Sequence, residues 1–255
     1  MTRMHAPLFL AHGSPMNSVA NNAYTNFLST YGETLARPAA VVVISAHWLT
    51  HGTYITGSAQ PGQIFDFYGF PPELYAVRYA PPGAPALAQA IARQIPAISV
   101  DSRRGIDHAG WAVMRHLCAQ ADIPLLELSL DRNKSEQEHF ELGRQLAEFC
   151  NEVLFIGSGN LVHNLGDLSF AEDAAPFSWA QEADAWFKAM LEQQRSEELV
   201  AYKQHLSAWH RALPTAEHFL PLLYILGMRG EGQRMRTLYE EIQNGSISMR
   251  SIALE

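Results

Sequence analysis

Cysteine is scarce in this 255-residue chain, which contains only Cys118 and Cys150. Neither sits in a CxxC or CxxH pattern, so the sequence favours reduced core thiols over a disulfide framework, and neither residue reads as a nucleophile. Basic charge is also in deficit, with 18 Lys and Arg against 26 Asp and Glu and a formal net charge of -8. The pair Arg103-Arg104 is too short to make a basic patch, which argues against a nucleic-acid or anionic-membrane partner. No apolar run approaches the ~20 residues needed to cross a bilayer, and no basic segment leads into an apolar signal core. A cytoplasmic location is the default expectation. Internal repeats, low-complexity segments and a convincing domain boundary are absent as well.

The chain is 47% hydrophobic and 17% charged, enough for one sizeable core, and a single domain over 1–255 is the economical reading. Residues 7–11, 41–44, 125–130 and 153–156 are short apolar runs of the kind that form buried strands. Between them, 21–35, 84–94, 109–120 and 135–150 return apolar residues at helical spacing, with Phe140, Leu142, Leu146 and Phe149 forming one buried stripe. Strands alternating with helices predict an α/β sandwich around a central, mostly parallel or mixed sheet flanked by helices.

Residues 60–83 break the rhythm. Phe65, Phe67, Tyr68, Phe70, Tyr75 and Tyr79 are too many aromatics for a floppy linker. They predict an ordered excursion over a pocket, or simple aromatic packing on the core. Residues 178–206 read as a long amphipathic helical region. A further helix is expected to start near Ala216, after Pro214-Thr215, and ISMRSIAL reads as a final strand.

Four histidines fall at the ends of these elements: His12 in HGSP, His47 in SAHW, His163 in GNLVHN and His218 in EHFLP. His12 and His47 each follow a buried strand, where open α/β sheets place ligands, and two such imidazoles are compatible with one metal centre. His51, four residues after His47, is weaker because the setting is not helical. The GSGN segment at 157–160 lacks the lysine of a phosphate loop and the full dinucleotide pattern, which leaves His163 as a metal ligand, a proton carrier or a local cap. Glu217 beside His218 offers two ligands, but adjacent helical positions diverge by about 100°, so His218 is preferred and Glu217 is its rival. His108 in DHAGW can bind a phenolate or transfer a proton, with Asp107 orienting its ring or capping the next helix. Asn160 and Asn164 orient a substrate or cap turns. Ser14, Ser45 and Ser158 lie near histidines in sequence, yet none stands in G-x-S-x-G, which argues against serine hydrolysis.

Taken in order, HGSPM at 12–16, SAHW at 45–48, DHAGW at 107–111, GSGNLVHN at 157–164 and EHFLPLLYILG at 217–227 resemble the class III extradiol ring-cleavage dioxygenases, in their 4,5-DOPA dioxygenase-like branch. The resemblance implies a non-haem Fe(II) site, with Zn(II) in some relatives. It implies His12, His47 and His218 as ligands, and His163 as the catalytic histidine or a further metal contact. The third ligand is a carboxylate in the wider class and a histidine here, which leaves zinc beside iron as the metal. A catecholic substrate such as DOPA and O₂ are the implied reactants, giving a ring-opened semialdehyde. His108 and Asn160 are then substrate contacts, and the aromatic excursion supplies a wall or lid through Phe65 and Tyr68. A zinc enzyme of other chemistry and a non-catalytic zinc protein are the alternatives. Arg78, Arg103 and Arg104 could draw a substrate carboxylate or remain solvated charges. A monomer is expected.

Overall fold

The computed structural model describes residues 5–255. Eight strands form one mixed sheet: β1 (Leu8–Ala11), β2 (Ala40–Thr50), β3 (Thr53–Thr56), β4 (Ile98–Asp101), β5 (Leu125–Asp131), β6 (Val153–Gly159), β7 (Met235–Tyr239) and β10 (Ser251–Leu254). They lie in the order β4-β3-β5-β2-β6-β1-β10-β7, and a separate hairpin pairs β8 (Ile242–Gln243) with β9 (Ile247–Ser248). The centre, β5-β2-β6-β1, is parallel, while β3 joins β5 and β10 joins β1 and β7 in antiparallel fashion.

Alternation along the strands divides two apolar layers. Val42, Ile44, Phe155, Leu126, Leu128 and Phe9 face one side, where α3 (Pro85–Gln94), α5 (Glu136–Leu146), α6 (Ser178–Glu192), α7 (Ser196–Val200), α8 (Tyr202–His205), α9 (Trp209–Ala212) and α10 (Leu220–Gly227) pack. Val41, Val43, Leu154, Ile156, Leu8 and Leu10 face the other, covered by α1 (Ala23–Thr34), α2 (Pro72–Tyr75) and α4 (His108–Leu117). Strands buried on both faces explain why 41–44 and 153–156 read as continuous apolar runs rather than alternating ones.

Several elements depart from the sequence reading for local reasons. β2 continues through His47 to Thr50, and its pairing with β5 slips between Ile44 and Leu49. Gly157, Ser158 and Gly159 belong to β6 rather than to a loop after it. The 178–206 region is three helices, because Gln194 adopts a left-handed φ of 61° and its side chain bonds Leu191 O and Met235 N. The helix expected from Ala216 begins at Leu220, with Pro221 in its first turn. ISMRSIAL holds two short strands, β9 and β10, instead of one.

The start of α10 lies hard against β6. Asn160 N donates to His218 O at 2.9 Å, and a methyl group on Gly159 would stand 2.0 Å from that carbonyl. We expect Gly159→Ala to cost on the order of 1–3 kcal/mol in urea denaturation, the usual scale of overpacking. Wild-type stability in that variant would show that strand and helix have slack at this contact.

Candidate metal centre

β2, β6 and β1 are neighbouring parallel strands, and His12, His47 and His163 come from their carboxyl ends, where an open α/β sheet leaves a crevice. His12 follows β1 directly. Gly13, at φ 59°, then turns the chain away, a conformation that L side chains rarely adopt. His47 sits in the slipped register of β2, a bulge-like irregularity that re-aims a side chain. His108 opens α4, whose N-cap Asp107 accepts from Ala109 N. His218 precedes α10 and is held by the Asn160–His218 backbone bond.

Four imidazoles turn Nδ1 towards an oxygen, three of them in hydrogen bonds. His12 Nδ1 lies 3.1 Å from Ser158 Oγ, and that hydroxyl donates to Ala109 O at 2.6 Å. The Ser158 proton is therefore committed, so His12 must donate from Nδ1 and leave Nε2 bare. His47 Nδ1 and His108 Nδ1 both face Asp66, at 3.4 and 2.8 Å, and His218 Nδ1 faces Glu217 Oε1 at 3.3 Å. Carboxylates only accept, so His108 and His218 carry a proton on Nδ1. The Nε2 lone pairs of buried His12 and His218 are left for the interior.

His12 Nε2 and His47 Nε2 meet head on at 3.1 Å. With His47 protonated on Nε2 the pair is an N–H···N hydrogen bond; with both ring protons on Nδ1 the two lone pairs face each other and suit a shared cation. His218 Nε2 is buried with no partner among the described residues. The ring centres of His12, His47 and His218 form a nearly equilateral triangle of 4.9, 5.0 and 5.1 Å. Imidazoles bound at about 2.1 Å with ordinary bond angles place their centres about 5 Å apart, so the triangle fits one ion. Donor atoms of His12, His47 and His108 also lie within 4.8 Å of one another. The His108 ring is less evenly placed, 4.1 Å from His47 and 5.5 Å from His12.

His163 stacks on His218 with ring centres 3.5 Å apart and an interplanar angle of 9°. Lone pairs point in the ring plane, so an ion that His218 held would not lie along the lone pair of His163. The two rings cannot both be good ligands to one ion.

Burial, reinforced by the neighbouring imidazoles, depresses the basicity of His12, His47, His163 and His218. His12 and His218 fall well below the usual histidine range, His163 falls to about 4 and His47 to about 3. For Asp66, burial pushes upward but is outweighed by the hydrogen bonds from the His108 ring and backbone N–H and by the neighbouring imidazoles, which bring it to about 2. Neutral rings are what a metal requires of its ligands.

A cavity of about 520 Å³ opens above the histidines, bounded by His12, His47, His108, His163 and His218, by Phe67 and Phe70, and by the 165–172 loop. The volume suits a small aromatic molecule. Several candidates stand elsewhere. Tyr68 is 92% exposed, turned outward before Gly69 with its φ of 78°, while Phe65 packs on Trp111 and Tyr75; neither lines the cavity. Asn160 is fully buried, donating to Ser248 O, and Asn164 caps the turn at Leu165–Asp167. Asp107 binds Ser45, Arg104 and the start of α4, and Asp66 orients the His108 ring in its place. Ser158 and Ser45 are buried hydrogen-bond struts rather than nucleophiles. His51, Arg78 and Arg103 are exposed, and Arg104 lies over Trp48 outside the cavity. Asp66 escaped the sequence reading; its one signal is a lone carboxylate inside the aromatic run IFDFYGF.

A mixed α/β sheet carrying a multi-histidine pocket at its carboxyl edge defines a metal-dependent enzyme with room for an aromatic ring. Residues 2–249 match the family model for the catalytic LigB subunit of aromatic ring-opening dioxygenase, and the chain belongs to that family. It is 43% identical to the 4,5-DOPA dioxygenase extradiol of Escherichia coli (strain K12), over 99% of this chain and 95% of that one. The protein of the same description from Portulaca grandiflora is 33% identical over 95% and 93%. A crystal structure of an uncharacterized protein from Escherichia coli K12 superposes with a TM-score of 0.85 at 37% identity, covering 99% of this chain and 100% of that chain. This chain is thus a metal-dependent extradiol ring-cleavage dioxygenase acting on a catecholic substrate.

The depressed basicity has a measurable consequence. The unfolded chain binds protons near pH 6.5, whereas buried His163 and His47 resist them until about 4 and about 3. Their contribution to stability is complete above 6.5 and drains as pH falls. Metal-stripped protein should lose urea resistance steadily between pH 6.5 and 4; a flat midpoint over that window would contradict burial as the cause.

Proposed function

We propose that the chain opens the ring of a catechol bearing a short side chain, with DOPA as the reference substrate, using Fe(II) held by His12, His47 and His218. The observation that carries this assignment is the 4.9–5.1 Å triangle of these rings, each with Nδ1 turned towards an oxygen. When bound there, iron supplies the electron transfer between catechol and O₂ that side chains cannot provide. Zinc suits the same imidazoles but has no redox chemistry, so a zinc-loaded form is expected to bind catechols without consuming oxygen.

The protein side chains do the remaining work. His163, neutral at pH 7 and lying over His218, accepts a proton from a substrate hydroxyl and returns it later in the reaction. His108, fixed by Asp66 through both its ring and its backbone N–H, directs Nε2 towards a substrate oxygen. Phe67 and Phe70 cover the aromatic ring of the substrate and exclude water. The product is the semialdehyde formed by cleavage beside, not between, the hydroxylated carbons. Both oxygen atoms of O₂ enter it.

Iron-loaded protein given DOPA in air should consume O₂ in step with a new ring-opened chromophore. Full iron occupancy with no uptake across a catechol panel would sink the reading. Roles within the site separate by metal content: alanine at His12, His47 or His218 should lower iron occupancy at least about 10-fold, whereas His163→Ala should keep iron and lose about 100-fold or more in kcat. Loss of iron from His163→Ala to the same degree as the others would return it to the ligand set.

A further inference from the structure

The charges around the cavity are lopsided. Among the described residues that line it, none is lysine or arginine, and the charged groups are Asp66 and Glu172. Asp66 is engaged by His47 and His108 at the histidine end. Glu172 is therefore the one charged side chain of the outer wall, on the loop that also contributes Leu165, Leu168 and Phe170.

That carboxylate is held in place. Glu172 Oε1 accepts from Asn22 Nδ2 at 2.7 Å, and the same amide donates to Asn17 Oδ1 at 2.9 Å. Asn17 in turn donates to the carbonyl of His12, so a chain of side chains joins the outer acid to the wall that carries a ligand histidine. The backbone of the loop is pinned as well: Asn244 N donates to Glu172 O at 2.9 Å, and Ser169 and Asn244 exchange further bonds. Leu165 and Phe170 remain 65% and 97% exposed although they line the cavity. The outer wall thus offers apolar surface with one fixed anion and nothing cationic.

We propose that Glu172 makes this a site for catechols carrying a cationic amine, in which the ammonium, not a carboxylate, is the recognised end of the substrate side chain. The inference rests on the catechol reading of the cavity and specifies its substrate class. A catechol seated on the histidines directs its side chain towards the 165–172 loop, where an ammonium meets Glu172 and the intervening methylenes meet Leu168 and Phe170. A carboxylate in the same place meets only repulsion. In DOPA the ammonium faces Glu172 and the carboxylate is left to solvent.

The test compares dopamine, L-DOPA, 4-methylcatechol and dihydrocaffeate, which share the catechol and differ in the charge of the tail. Dissociation constants are measured calorimetrically on the iron-loaded enzyme under argon, and turnover is then followed as O₂ uptake. An exposed ion pair is worth up to a roughly 5-fold change in affinity, so dopamine should bind about 3–5-fold more tightly than 4-methylcatechol, and dihydrocaffeate more weakly than both. Glu172→Gln keeps an acceptor for Asn22 and removes the charge, and should erase the dopamine advantage; Glu172→Lys should invert the order. Equal affinities, a preference for dihydrocaffeate, or an order unchanged in Glu172→Gln would overturn the proposal. Oxygen uptake with all four probes but no order among them overturns this inference alone. The predicted order of affinities without any uptake supports the inference and overturns ring cleavage. If no probe binds, both fall.

Discussion

Bare imidazole lone pairs crowded into a buried space are the constraint on which the rest of the structure depends. Two Nε2 atoms face each other at 3.1 Å, a spacing that a single proton or a shared cation bridges. The protein holds them there through Ser158, Asp66 and Glu217, each an acceptor fixed outside the ring set. Burial reinforces the arrangement by keeping the rings neutral, because a charged imidazole in that place would lack solvent and face other imidazoles. The burial that lowers the basicity of these rings also leaves them neutral for a metal.

The fold makes that crowding possible by bringing chain ends together. Three parallel strands in the order β2-β6-β1 deliver His12, His47 and the segment leading to His163, while α10 presses His218 down on Gly159. A helix start, Asp107-His108, completes the floor from the opposite layer. Asp66 joins the layers, since its two oxygens reach a strand histidine and a helix histidine at once. The aromatic excursion is thereby part of the centre as well as its cover.

Seen from the cavity, the site has two ends with different physics. At the inner end, stacked and hydrogen-bonded rings leave little freedom. At the outer end, exposed Leu165 and Phe170 and the tethered Glu172 recognise shape and charge loosely in contact with water. Reaction class therefore resides in the floor and substrate preference in the loop, which is the division expected when a rigid scaffold carries variable connections.

Much of this was legible in one dimension. The apolar runs at 7–11, 41–44, 125–130 and 153–156 announce buried strands because burial on both faces removes polar alternation, and the histidines after them mark the carboxyl edge. Sequence alone determined the α/β class and singled out the histidines that the fold brings together. It could not show which serine or carboxylate reaches which ring: Ser158 meets His12 across 146 residues and Asp66 meets His108 across 42. Nor could it show that Tyr68 turns to solvent while Phe67 beside it faces the site, because neighbouring residues in an irregular segment share no fixed period. The tautomers, the ring triangle and the stacking that separates His163 from His218 are properties of distance and orientation, and only the tertiary structure decides those.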